Sequence, residues 1–157
     1  MDESSFSKTT FLWLSRWLSG GKEIESLPND VKDELICLNL LEGDYDIKLF
    51  RGLLDDSLEA EGKDVYVVFN DFPSSWTYSN EIAGYFSNIV ISTKVNSIAD
   101  ILIDTTRLDM KKFGGVPDEV EVILLPGRYL TNLSLDQLEK IEKYKEGKIY
   151  NLDMNNF

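Results

Sequence analysis

The chain has 157 residues, 43% of them apolar, with 28 Asp and Glu against 16 Lys and Arg for a formal charge of −12. That length suits one domain with a sizeable core, and so negative a surface repels phosphate backbones and anionic membranes, which argues against a broad nucleic-acid site or a membrane surface. The sequence has no histidine and one cysteine, which excludes Ser-His-Asp and Cys-His catalysis, His-ligated metals, an internal disulfide and a Cys-cluster zinc site.

The start, Met1-Asp2-Glu3, is acidic and unlike a secretory leader. Phe6 to Leu18 reads as a helix, with Phe11, Leu12, Leu14 and Leu18 apolar, Trp13 and Trp17 four apart, and Gly20-Gly21 at its end. Its apolar part is too short to span a bilayer and is broken by Arg16, so a soluble, cytoplasmic protein is expected. A second helix should follow Pro28, capped by Asn29 or Asp30, burying Val31, Leu35, Ile36, Leu38, Leu40 and Leu41 and stopping at Gly43. Cys37 lies in its apolar run and reads as a core residue. Both helices read as scaffold, a helical part over residues 1–43.

From residue 46 to 157 the pattern is β-rich. Ile47 to Leu54 alternates loosely around Arg51, which either pairs with a nearby carboxylate at a strand end or serves a ligand, because burying it without an anion is costly. Asp55 to Lys63 reads as a polar loop, Val65 to Phe69 as a strand, and Ser75 to Tyr78 as a short extended piece after Pro73. Ser79 or Asn80 should cap a helix over Glu81 to Ser87, packed through Ile82, Ala83, Tyr85 and Phe86. Asn88 to Lys94 reads as a strand, Ile98 to Thr106 as a short strand or helical turn, and Arg107 to Asp118 as a loop presenting Phe113. Glu119 to Leu125 is acid-apolar, then wholly apolar, and stops at Pro126-Gly127. As one strand it sets Glu119 and Glu121 on one face, about 6.6 Å apart. The bland account of that pair is a solvated strand end, since like charges side by side weaken a sheet. Ser134 and Gln137 form a capping box for a helix through Leu138, Ile141 and Tyr144 to Gly147, and Lys148 to Met154 reads as a last strand.

Three of these stretches, in this order, resemble the mono-ADP-ribosyltransferases of the arginine–serine–glutamate class. Leu49-Phe50-Arg51-Gly52-Leu53 is similar to the family's first motif. Ser75-Trp76-Thr77 with Glu81-Ile82-Ala83 is similar to its Ser-Thr-Ser motif and the helix after it, although Trp76 and Thr77 stand where Thr and Ser are usual. Glu119-Val120-Glu121-Val122-Ile123-Leu124-Leu125-Pro126 is close to its Glu-x-Glu motif. The resemblance covers residues 46 to 130, and the small, acidic, histidine-free chain is nearer the bacteriophage members, which modify host proteins in the host cytoplasm, than the secreted toxins.

The resemblance implies an α+β fold of the ADP-ribosyltransferase type, N-terminal helices packed on a mixed or antiparallel two-sheet β core, as one domain over 1–157 and a monomer. It implies NAD as co-substrate, no metal, a protein acceptor and release of nicotinamide. Glu121 would stabilise the oxocarbenium-like state at the ribose, and Glu119 would engage the nucleophile, Glu at that position going with arginine acceptors. Arg51 would offer its planar fork to the pyrophosphate, Ser75 would steady Glu121, and Gly52, Thr77 and Phe86 would complete the NAD site. Phe113, in the loop before Glu119, would touch the target. Two other readings stand beside it: a non-enzymatic acidic interaction protein on the same fold, and a glycoside hydrolase using Glu119 and Glu121.

Overall fold

Ser7 opens the first helix, its hydroxyl accepting the Thr10 amide at 3.2 Å, and α1 runs Lys8–Arg16. It loosens into a wide turn over Trp17–Gly21, where Gly20 takes a φ of +125° that a side chain would resist. The second helix, α2, spans Asn29–Leu38. The structure, a computed structural model, describes residues 6–21, 26–38, 46–108 and 119–148. Gly43 at the expected stop of α2, the Phe113 loop and nearly all of the expected last strand lie outside the described residues.

Among the described residues eight strands follow: β1 Ile47–Gly52, β2 Ser57–Glu61, β3 Asp64–Phe69, β4 Ser74–Thr77, β5 Val90–Val95, β6 Ile101–Asp104, β7 Glu121–Leu124 and β8 Gly127–Leu130. Between β4 and β5 lies α3, Asn80–Gly84, capped by the Ser79 hydroxyl on the Ile82 amide. After β8 comes α4, Leu135–Lys145, with the Ser134–Gln137 capping box formed and Gly147 at φ +74° past its end. The strands form a five-stranded sheet in the order β5-β1-β4-β7-β6 and a three-stranded sheet in the order β2-β3-β8. Every pairing among the described strands is antiparallel, so no mixed sheet occurs there. The architecture is α+β, with helices and two antiparallel sheets.

Side-chain alternation along the strands explains how the layers stack. On β7, Val122 and Leu124 join a core with Leu49, Val65, Val67, Trp76, Tyr129 and Ile141, which fills the space between the sheets and beneath α4. Ile123, on the other face, joins Trp13, Leu14, Trp17, Val31, Leu35, Leu102 and Ile103, so α1 and α2 cover the far side of the larger sheet. Each fully buried Leu, Ile or Val in these layers contributes about 1.5–3 kcal/mol.

Several details depart from the sequence reading. The polar stretch after residue 55 holds β2, a largely exposed edge strand paired with β3, because a register already fixed by the buried β3 lets polar residues extend the ladder. Residues 127–130 form β8 rather than ending in the turn. Cys37 and Ile36 are exposed, while Val31 and Leu35 of α2 are buried; the side chain of Leu38, and Leu40 and Leu41, expected on the same buried side, lie outside the described residues. Tyr85 and Phe86 lie beyond α3 and are exposed, leaving Ala83 as its buried residue. The 98–106 stretch is both things at once: helical turns at Ile98–Asp100 and Thr105–Arg107 flank β6.

Candidate functional site

β4 and β7 are neighbours in the larger sheet, with Ser75 opposite Ile123 and Thr77 opposite Glu121. Period-two alternation puts Ser75, Thr77 and Glu121 on the face that α1 and α2 cover, opposite to Trp76 and Val122. Trp76 fills the core between the sheets against Phe69 and Tyr129. Its indole donates to Ser74 Oγ at 2.8 Å.

Glu121 is 2% exposed. Oε2 of its carboxylate accepts the Ser75 hydroxyl at 2.6 Å and the Trp17 indole N–H at 2.9 Å. A buried carboxylate costs several kcal/mol unless donors compensate it, and these two reach it from different layers. Its backbone carbonyl accepts the Thr105 hydroxyl at 2.7 Å. The chain just ahead is bent rather than extended. Val120 has φ +43°, an uncommon and strained backbone for a β-branched residue. Glu119 therefore lies in a turn before β7, not on the strand with Glu121 as the alternation suggested. The turn is tied to β4: the Thr77 hydroxyl donates to the Glu119 carbonyl at 2.7 Å and the Tyr78 amide to the Val120 carbonyl at 3.3 Å.

Arg51 is 5% exposed. Its Nε and Nη2 donate to the two carboxylate oxygens of Asp56 at 3.0 and 2.8 Å, its Nη1 to the Ser75 carbonyl at 2.8 Å, and its guanidinium lies 4.9 Å from the Phe69 ring centroid. The fork that the sequence reading assigned to a pyrophosphate is engaged by Asp56, in the stretch read as a polar loop. The bland account of Arg51, a strand arginine paired with a nearby carboxylate, thus describes its fork.

A cavity of about 220 Å³ opens between these elements. Arg51, Ser75, Thr77, Glu119 and Glu121 line it, and Gly52 and Phe86 from β1 and the end of α3 close another side. Seven of the eight residues singled out from sequence therefore meet at one cavity; Phe113 lies outside the described residues. Gly52 has a packing reason. A Cβ there would stand 2.7 Å from the Ala83 carbonyl oxygen and 3.0 Å from the Ser87 amide, so only glycine lets β1 approach α3 this closely. Phe86 is 55% exposed at the rim.

Trp17 and Asp56 are the site residues that sequence reasoning missed. A buried indole needs an acceptor, and that was the available signal at Trp17, but the acceptor lies 104 positions away. The signal at Asp56 was an acid five residues after a strand arginine. Chemically, the arrangement brings one buried carboxylate with fixed donors, a second glutamate on a strained turn and a buried arginine to the lining of one cavity. No group of three or more His, Cys, Asp or Glu side chains suited to a metal occurs among the described residues. No helix among them is long and apolar enough to cross a membrane. No family model, no curated protein and no solved structure matches the chain.

Proposed function

We propose that the cavity binds the nicotinamide-ribose half of NAD and that the chain transfers ADP-ribose to a protein acceptor, at arginine, with release of nicotinamide. The observation that carries this reading is the Glu121 carboxylate, buried and clamped by Ser75 at the wall of a cavity that Glu119 and Arg51 also line. As the glycosidic bond lengthens, its electron pair leaves with nicotinamide and positive charge grows on the ribose. A fixed carboxylate beside that charge stabilises it without reorganising, the largest kind of term in such catalysis. An acceptor guanidinium nitrogen then bonds to the anomeric carbon and gives up its proton, for which Glu119 is the base at hand. The acidic chain suits a basic acceptor surface, and a host protein is the partner expected of a phage enzyme.

The test is nicotinamide release from NAD, with and without an arginine-bearing acceptor, for wild type and two variants. Glu121→Gln keeps an oxygen that can accept from Ser75 and Trp17, so the fold should persist, while both hydrolysis and transfer fall by about 10²-fold or more. Glu119→Gln should keep appreciable hydrolysis and lose transfer. Equal behaviour of the two variants would remove the division of roles, and wild-type-like turnover by folded Glu121→Gln would remove the reading. Calorimetry with NAD separates this function from a binding protein that never engages NAD.

A further inference from the structure

The N-terminal helices look like cover for the sheet, yet one of their side chains ends on the cavity's carboxylate. Trp17 is wholly buried at the end of α1, stacked on Trp13 at 5.3 Å between ring centroids, and its indole N–H donates to Glu121 Oε2. Trp13 belongs to the same stack and the same core, but its indole N–H donates to the Ser26 carbonyl at 2.9 Å. Two indoles of one stack thus hold different acceptors, one in the helical layer and one in the cavity wall.

We infer that Trp17 is a positioning residue for Glu121, so that the helical layer, as well as β4, sets the direction of the cavity's carboxylate. This rests on the transferase reading for its kinetic consequence, though not for the contact itself. Ser75 and Trp17 reach the same oxygen from two layers. Two donors on one oxygen from two directions restrict where the group points more than either does alone. A hydrogen bond to a charged group in a buried setting is among the stronger ones. Its loss should appear in the chemical step rather than in NAD capture, because Trp17 is not among the cavity-lining residues.

The experiment compares Trp17→Phe with Trp13→Phe, two substitutions that remove an indole N–H from one aromatic stack. Trp17→Phe should lower kcat for NAD hydrolysis about tenfold or more with KM for NAD little changed. Trp13→Phe should lower thermal stability comparably and leave kcat near wild type. Trp17→Phe combined with Ser75→Ala should cost less than the product of the single effects, since both act through one oxygen. Equal kcat in the two tryptophan variants would overturn the inference while leaving the transferase reading standing. A readout independent of turnover is the indole N–H signal of each tryptophan in nitrogen-15 spectra. Glu121→Gln should move the Trp17 signal and leave that of Trp13 in place. If wild type does not turn over NAD, the transferase reading fails, and the indole signal alone decides whether Trp17 holds Glu121: a Trp17 signal indifferent to Glu121→Gln overturns it.

Discussion

Arg51 carries two demands on one guanidinium. Its planar fork matches a pyrophosphate or a carboxylate equally well, and here the Nε and Nη2 edges hold Asp56 while Nη1 holds the Ser75 carbonyl. Arg51 therefore supports the cavity by fixing the strand that presents the Ser75 hydroxyl, in addition to lending positive charge to its wall. The sequence alone suggests that Arg51→Lys weakens NAD binding with little effect on stability; with Asp56 in place, both should fall. Asp56→Ala is the cleaner variant. It leaves a buried guanidinium without that carboxylate and should cost about 3–5 kcal/mol in urea unfolding. A variant as stable as wild type would mean that the pair is idle in the fold.

At the scale of elements, the approach of α3 to β1 decides the shape of the cavity. Gly52→Ala places a methyl 2.7 Å from the Ala83 carbonyl oxygen, a backbone atom that cannot swing aside. The helix must shift, at about 1–3 kcal/mol, so Gly52→Ala should lower the melting temperature and weaken NAD binding together; an unchanged Kd would place the ligand away from α3. The pairing of α1 with α2 responds to pH. The Glu34 carboxylate accepts the Ser7 amide and the Thr10 hydroxyl, and the Ser7 bond foremost holds its pKa below the usual 4.5. A carboxyl lowered in the folded state stabilises fully above its unfolded pKa and loses that contribution as pH falls through the folded value. Acidification from about pH 5 downward should therefore loosen α1 from α2, read as falling thermal stability. Glu34→Gln should be less stable than wild type at neutral pH, with the difference closing in acid. A constant difference across that range would assign the effect to another carboxylate. Because Trp17 ends α1, this contact bears on how Glu121 is held.

For the whole molecule, the charge of −12 is the dominant long-range term. NAD is itself anionic and should meet a repulsive field, while a basic acceptor meets an attractive one. Ionic strength shortens the reach of both, to about 10 Å at 0.1 M. Raising salt should accordingly lower KM for NAD in hydrolysis and raise KM for a basic protein acceptor in transfer. Parallel movement of the two constants would mean that local groups, rather than the global field, govern encounter.

The sequence by itself determined the capping box of α4, the strands around Arg51 and Glu121, and the need of Arg51 for an anionic partner, which are properties of short windows: periodicity, caps, and the rule that a buried charge needs a partner. The α+β class and the set of residues that meet at the cavity came from the resemblance of its motifs. Tertiary structure decided what window reading could not. It made β2 and β8 from segments whose own pattern is weak, because a neighbouring strand supplies the register. It turned Cys37 and Ile36 outward on a helix that buries Val31 and Leu35. It moved Glu119 off the strand through the backbone of Val120, and it chose Asp56 for Arg51 and Trp17 for Glu121. A carboxylate in the sequence advertises that it needs donors, but which donors it finds depends on how the layers stack, and that is fixed only when α1 closes over β7.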